Sequence, residues 1–372
     1  MRIIFCGDLV LQDPQNTYIG SHLTELLKSA DIRAVNFEAP VYCENISPIH
    51  KSGPNLTQSN QSPWWLQKYD FNLISLANNH ILDYDVTAFN NTTSAFKEAV
   101  LLGAGTVEEA YKPLIIESNG LKIGFIAGTQ KEFGCHNEMS SYKNDIGTAW
   151  LGAKQFRQLI LNTKRECDIL FLLAHAGIEN IDTPLPQWRE FYKETIDLGV
   201  DCVIGSHPHT PQGVEYYCKK PIFYSLGNFV FQTPNTSVPE NWNKGIIAVI
   251  DIDSTGMTRT EIIPVRYDVI SKTIDIDNSS DRIKHIEYLN KLLIDDNLYK
   301  HDLRMSLDKL IPLYKWSLSC SGYYKPQLSL SYIKQVAKTI LGRTPDNIHF
   351  YNLFNCESHR WVMEYMIQNK LL

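Results

Sequence analysis

Long apolar runs are what this sequence most clearly lacks. No stretch of its 372 residues approaches the roughly 18 consecutive apolar residues that a membrane-spanning helix needs. At the N-terminus the apolar run before Gly7 and Asp8 is only about four residues long, too short for the core of a leader peptide. The chain therefore reads as cytoplasmic, with no direct membrane span. Positive charge is also scarce. The 35 Lys and Arg are outnumbered by 41 Asp and Glu, a net charge of −6, which excludes a dedicated nucleic-acid binder. None of the eight cysteines stands in a C-x-x-C pair, which removes a zinc ribbon. Their even number leaves a disulfide framework open on composition alone. Cys6 and Cys202, however, fall in apolar, strand-like runs, where cysteine packs as a small apolar residue. Ser206 lacks a G-x-S-x-G setting, so a serine-nucleophile hydrolase is not supported. Gly103-Ala104-Gly105 lacks a third glycine and follows a helical pattern, which is not a dinucleotide fingerprint. No internal repeat is evident.

What is present is ample core material: 44% hydrophobic and 20% charged residues, as in an ordinary globular protein. The length suggests two domains, or one large domain with an appendage. Charge divides the same way. Residues 281–372 carry 13 Lys/Arg against 9 Asp/Glu, a balance of +4, whereas residues 1–280 carry 22 against 32, a balance of −10. The polar stretch 271–281 marks the change. We expect a domain over 1–270 and a helical C-terminal region over 281–372. The basic balance of that region reads either as a differently solvated surface or as a dock for an anionic partner.

Along residues 1–270 the recurrent pattern is strand, polar loop, helix. Strands are expected at 2–6, 32–37, 72–76, 168–173 and 201–204, a hairpin at 113–129 turning at Asn119-Gly120, and further strands at 213–217, 221–225, 245–253 and 258–265. Helices are expected at 18–29, after Pro63, and at 86–102, 153–164 and 187–198. This is an α/β layered domain with parallel strands, in which ligands gather at the carboxyl ends of strands. Helical spacing over 281–296, 301–315, 328–341 and 357–370 fills the C-terminal region.

Chemistry-bearing residues fall at those strand ends. Asp8 follows the first strand and Glu38 the second. Asn79 and His80 follow the third. His175 follows 168–173, and His207 and His209 follow 201–204. Neighbouring parallel strands lie about 4.8 Å apart, so two carboxylates, an amide and four imidazoles converge on one rim. That donor set suits zinc, iron or manganese without thiolate. Seven groups exceed the need of one tetrahedral ion and fit two divalent ions bridged by a carboxylate. The other histidines, at 22, 50, 136, 285, 301, 349 and 359, lack this placement and read as surface or core residues.

The same residues form an ordered set of motifs: Gly-Asp at 7–8, Asn-Phe-Glu at 36–38, Ala-Asn-Asn-His-Ile-Leu-Asp-Tyr at 77–84, His-Ala-Gly-Ile-Glu at 175–179, Gly-Ser-His-Pro-His at 205–209 and Tyr-Ser-Leu-Gly-Asn-Phe-Val-Phe at 224–231. Over roughly residues 1–266 the chain resembles the bacterial CapA family, named for capsule and poly-γ-glutamate synthesis, which is similar to the calcineurin-like metallophosphoesterases. The resemblance implies a four-layer α/β/β/α sandwich with a dinuclear site of manganese, zinc or iron at the sheet rim. Asp8, Glu38, Asn79, His175, His207 and His209 are then the implied metal ligands, with Glu38 bridging. His80 is the implied catalytic acid or transition-state stabiliser, aided by Glu179. Asn78 and Asn228 are implied substrate contacts. The chain departs from the expected pattern in three places: an Asp-x-His pair usual in metallophosphoesterases is here Asp8-Leu9-Val10, Ala176 stands where the family often has an aromatic residue, and the usual Asp-Tyr-Gly is Asp83-Tyr84-Asp85.

The implied function is a metal-dependent hydrolase. It would act on a phosphoester or other anionic group in capsule, exopolysaccharide or polyglutamate metabolism, by attack of a metal-bound hydroxide. Its substrate would be a small molecule or an anionic polymer. The alternative is a component that holds an anionic polymer without cleaving it, or that hydrolyses an amide.

Overall fold

A computed structural model describes residues 1–118, 120–136, 146–234, 238–320 and 348–371. The larger of its sheets is built around the strand Arg2–Val10. Ile32–Phe37, Leu73–Ser75 and Val100–Leu102 succeed one another in parallel on one side of it. Lys244–Asp253, Gly256–Asp268 and Thr273–Ile276 continue antiparallel on the other. The second sheet has a parallel centre of Leu121–Thr129, Ile169–His175, Cys202–Ser206 and Lys220–Phe223. Leu114–Ser118 and Val214–Tyr217 form its antiparallel edges.

The central strands of both sheets are buried on both faces, which is why they read as continuous apolar runs. Along the first strand Ile3 and Phe5 face the second sheet, while Ile4 and Cys6 face the outer helices, the period-two alternation of a strand. Ile169, Phe171 and Leu173 turn inward in the same way, and Leu170, Leu172 and Ala174 outward. Between the sheets Phe125 and Phe171 stack with ring centroids 5.3 Å apart and 13° between planes, and Phe5 lies 5.3 Å from Phe171. Helices Ser21–Lys28, Ser62–Lys68 and Asp85–Ala95 bring Leu23, Leu27, Trp65 and Phe89 onto the outer face of the first sheet. Lys154–Glu166 and Pro186–Asp197 bring Phe156, Ile160, Trp188 and Tyr192 onto the second. The architecture is the expected four-layer α/β/β/α sandwich.

The described residues of the C-terminal region are helical, with Ser280–Ile294, Asp296–Cys320, Ile348–Asn355 and Glu357–Gln368. The helix expected at 328–341 and Asn119 of the hairpin turn lie outside the described residues. Leu307, Tyr314, Leu353, Val362 and Met366 pack in the same apolar cluster as Trp188 and Tyr192. Trp188 Nε1 donates to Ser358 Oγ at 2.8 Å, and its ring meets Trp361 with centroids 5.1 Å apart. These helices therefore share their core with the second helical layer.

Some element boundaries differ from expectation. The first strand does not stop at residue 6 but runs to Val10, because Asn228–Phe231 and Asn36–Phe37 pair with its far end on either side. The helix expected over 86–102 ends at Ala95, and Val100–Leu102 adds an edge strand beside Leu73–Ser75. Phe96, with extended backbone angles, makes the break. The polar stretch near 271–281 contains the strand Thr273–Ile276.

Candidate metal centre

Register and two glycines bring the rim together. Asp8 sits in the first strand opposite Asn36 on one side and Asn228 on the other. In the second sheet His175 is opposite Ser206, so His207 and His209 leave their strand beside it. The segment Leu226–Asn228 joins the sheets: Leu226 N donates to Gly205 O at 2.9 Å, and Asp8 N donates to Gly227 O at 3.0 Å. The chains approach so closely that a Cβ on Gly7 would lie 1.8 Å from Gly227 O, and one on Gly205 would lie 2.1 Å from Tyr224 O. Glycine is required there because no side chain fits. His207 and His209 have positive φ angles of 97° and 57°, strained backbone of the kind that persists where surrounding contacts over-determine it.

The structure brings together the six residues expected to hold metal. Asp8, Glu38 and His175 form one cluster of potential ligand atoms within 4.8 Å of one another, and Glu38, His207 and His209 form another. Glu38 belongs to both. Its Oε1 lies 3.6 Å from His175 Nε2 and 3.4 Å from His209 Nε2. Asp8 Oδ2 lies 3.5 Å from His209 Nδ1, and His207 Nδ1 lies 3.1 Å from His175 Nε2. Asn79 Oδ1 is 3.0 Å from His175 Nε2. All six side chains are buried.

The electrostatics are those of a site short of positive charge. Both oxygens of Glu38 are buried without a hydrogen-bond partner. Burial, then the charges of Asp8 and Glu179, push its carboxyl well above the usual range. Burial, reinforced by His207, His209 and His80, pushes the His175 imidazole well below its usual value, keeping the ring neutral as a ligand must be. Burial opposes a proton on His209 too, but the hydrogen bond and charge of Asp8 outweigh it, and its pKa is raised. A buried carboxyl group without a hydrogen-bond partner, beside the neutral His175 ring, fits a divalent cation.

The remaining expected residues are placed as follows. His80 and Glu179 line the same cavity as Asn79 and His207. His80 Nδ1 lies 2.6 Å from Asp83 Oδ2 and 3.0 Å from Lys51 Nζ, and Lys51 and Asp83 form a buried ion pair. Asn78 and Asn228 are not cavity-lining. Asn78 Nδ2 donates to Asn36 Oδ1 and Phe37 O, and its Oδ1 accepts from the backbone of His80 and Ile81. Asn228 Oδ1 meets His209 Nδ1 at 3.0 Å while its Nδ2 donates to Trp242 O. Both amides are occupied in holding the rim.

Three groups at the site were not assigned from sequence. Asn36 Nδ2 donates to Asp8 Oδ1 at 2.7 Å and lies 3.2 Å from His175 Nδ1. Gln130 Nε2 lies 2.9 Å from His207 Nε2, and Glu132 Oε1 lies 3.7 Å from the same nitrogen. Asn36 stands inside the Asn-Phe-Glu motif, and Gln130 and Glu132 follow the strand ending at Thr129. The strand-end rule applied to that strand points to both. His349 and His359, taken as surface or core, line the cavity from the C-terminal helices, and no local pattern marks them.

Residues 2–233 match the family model described as bacterial capsule synthesis protein PGA_cap, and the chain belongs to that family. It is 30% identical over 226 residues to a Bacillus anthracis protein named capsule biosynthesis protein CapA, covering 58% of this chain and 54% of that one. It is 29% identical over 255 residues to the PGA biosynthesis protein CapA of Bacillus subtilis, covering 66% of this chain and 64% of that one. The chain thus spans less than two thirds of the length of these relatives. Among solved structures, a 5'-nucleotidase from Candida albicans aligns with a TM-score of 0.42 and 10% identity, over 73% of this chain and 52% of that one. Among the described residues no helix is long and apolar enough to cross a membrane.

Proposed function

We propose that this chain is a metal-dependent hydrolase acting on a phosphoester or related anionic group in capsule, exopolysaccharide or polyglutamate metabolism. The observation that carries the reading is Glu38, buried, unpartnered and shared between two ligand clusters. Asp8, Glu38, Asn79, His175, His207 and His209 would hold two divalent ions, with Glu38 between them. Bound there, such ions would supply Lewis-acid polarisation of the anionic group and a lowered pKa for a water. The chain's own groups do the rest. Asn36 and Gln130 fix ring orientation at His175 and His207. His80, held by Asp83 and Lys51, faces the cavity as the donor of a proton to the departing oxygen. Glu179, which lines the same cavity, would supply negative charge beside His209, His207 and His80.

The test is metal analysis of the purified chain, followed by a phosphomonoesterase and phosphodiesterase screen with manganese, zinc or iron. Bound metal with turnover that falls by about 10²-fold or more in His80→Ala is expected. No metal uptake and no turnover after reconstitution would sink the reading.

A second reading keeps the site and changes its use. The relatives' names speak of biosynthesis, which supports a component that holds an anionic polymer, or cuts an amide in it. In cells, function that survives His80→Ala but not His207→Ala would favour holding over turnover.

A further inference from the structure

The cavity above the metal cluster is two-faced. Its volume is about 330 Å³. Its polar lining includes Asn79, His80, Glu132, Glu179 and His207, and its apolar lining includes Leu310, Leu313, Tyr314, Trp316 and Leu353 beside Phe133 and Ile178. Leu310, Leu313, Tyr314, Trp316 and Leu353, the larger part of that apolar wall, come from the C-terminal helices. Leu313 is 56% exposed there, an apolar side chain left open in a cavity with that polar lining.

The wall is held in place by polar ties. Tyr314 Oη meets His359 Nδ1 at 2.6 Å, and Ser52 Oγ meets His349 Nδ1 at 3.0 Å, fastening the helices to each other and to the loop on the far side of the cavity. Ser358 Oγ donates to Gln130 Oε1, and Cys356 Sγ lies 3.4 Å from Glu132 Oε1. The start of the last helix is therefore bonded to Gln130 and Glu132, two of the residues beside His207. A wall fixed in this way has a defined distance from the metal cluster, as a substrate-selecting surface must.

We propose that the C-terminal helices form the pocket for the alcohol part of the substrate, and that this part presents a ring-sized apolar face. The inference rests on the phosphoester reading above and names its substrate class: a small or chain-terminal anionic ester, with the anionic group at the metal cluster and a flat apolar face against Leu313 and Trp316. Volume argues the same way. A cavity at the small end of the range for ligand pockets is matched to one terminal unit. An extended polyanion would also place charged groups against leucine, at the cost of their hydration.

Calorimetry on the full chain loaded with manganese tests this, using phenylphosphonate and methylphosphonate as non-hydrolysable probes. Phenylphosphonate should bind roughly tenfold or more tightly than methylphosphonate, the gain expected from burying one ring face. Leu313→Ala and Trp316→Ala should each remove several-fold of that preference and leave methylphosphonate binding unchanged. Leu313 is mostly exposed, so its truncation should leave the thermal midpoint near wild type, which separates a lost contact from a lost fold. Equal affinity for the two probes, or a preference untouched by both variants, overturns the inference and leaves the phosphoester reading standing. Binding of metal without binding of either probe overturns both.

Discussion

Glu38 Oε1 lies 3.4 Å from His209 Nε2, and neither oxygen of that carboxylate has a hydrogen-bond partner. A buried carboxylate in this condition is costly unless a proton or a cation neutralises it. Glu38→Gln removes the charge at constant shape. It should abolish tight binding of both ions, read as metal content per chain after dialysis, while raising the thermal midpoint of the metal-stripped protein. Full metal occupancy in this variant would contradict the bridging role.

The same pair sets a pH dependence of stability. The Glu38 carboxyl and the His209 imidazole both have raised pKa values in the folded chain. A group with a raised folded pKa holds its proton in the native state after the unfolded chain has released it. Its stabilisation is complete below the unfolded pKa and is lost as pH rises through the folded value. His175 and His207, with lowered values, act in the opposite sense, but only below about pH 6.5, where unfolded histidine titrates. Above about pH 6.5 the metal-stripped protein should therefore become less stable as pH rises through the raised folded values of Glu38 and His209. Thermal melts across that range should show the decline, and Glu38→Gln or added metal should flatten it. A rising curve would refute the assignment.

Asn36 touches Asp8, His175 and Asn78 at once. Asn36→Leu leaves a buried carboxylate oxygen and a buried amide without those partners, at a cost of about 1–3 kcal/mol. Metal affinity should fall about 10–100-fold, as it does when groups that orient ligands are removed. Chemical denaturation and a competitive chelator titration measure the two effects separately.

How much of this was legible in sequence follows from how local each feature is. Ile169–His175 is buried on both faces, so its apolar run and the polar residue that ends it are visible as a string. Asp8 was visible as a polar residue after a strand-like run. That the strand continues through it to Val10 was not, because the continuation depends on Asn228–Phe231, more than 200 residues later in the sequence. Val100–Leu102 likewise takes its extended form from Leu73–Ser75 beside it. The wall of the cavity was least legible: Leu313 and Trp316 carry ordinary helical spacing, and only packing against Trp188 and Tyr192 turns their helix over the metal cluster.

Gly7 and Gly205 show a constraint that a motif hides. Each stands where a Cβ would fall within 2.1 Å of a carbonyl oxygen in the segment 224–227, 1.8 Å in the case of Gly7. Gly7→Ala would push the first strand off Gly227 and break the bond from Asp8 N to Gly227 O. The loss should exceed the 2–3 kcal/mol or so typical of a single damaging substitution and leave little soluble protein. Gly256→Ala is the control. Gly256 has φ of 121° but open space around its Cβ position, so it pays only backbone strain, of order 1–3 kcal/mol. Its metal content should stay at the wild-type level. Equal loss of fold and of metal in both variants would show that the crossing at Gly7 is not what sets the rim.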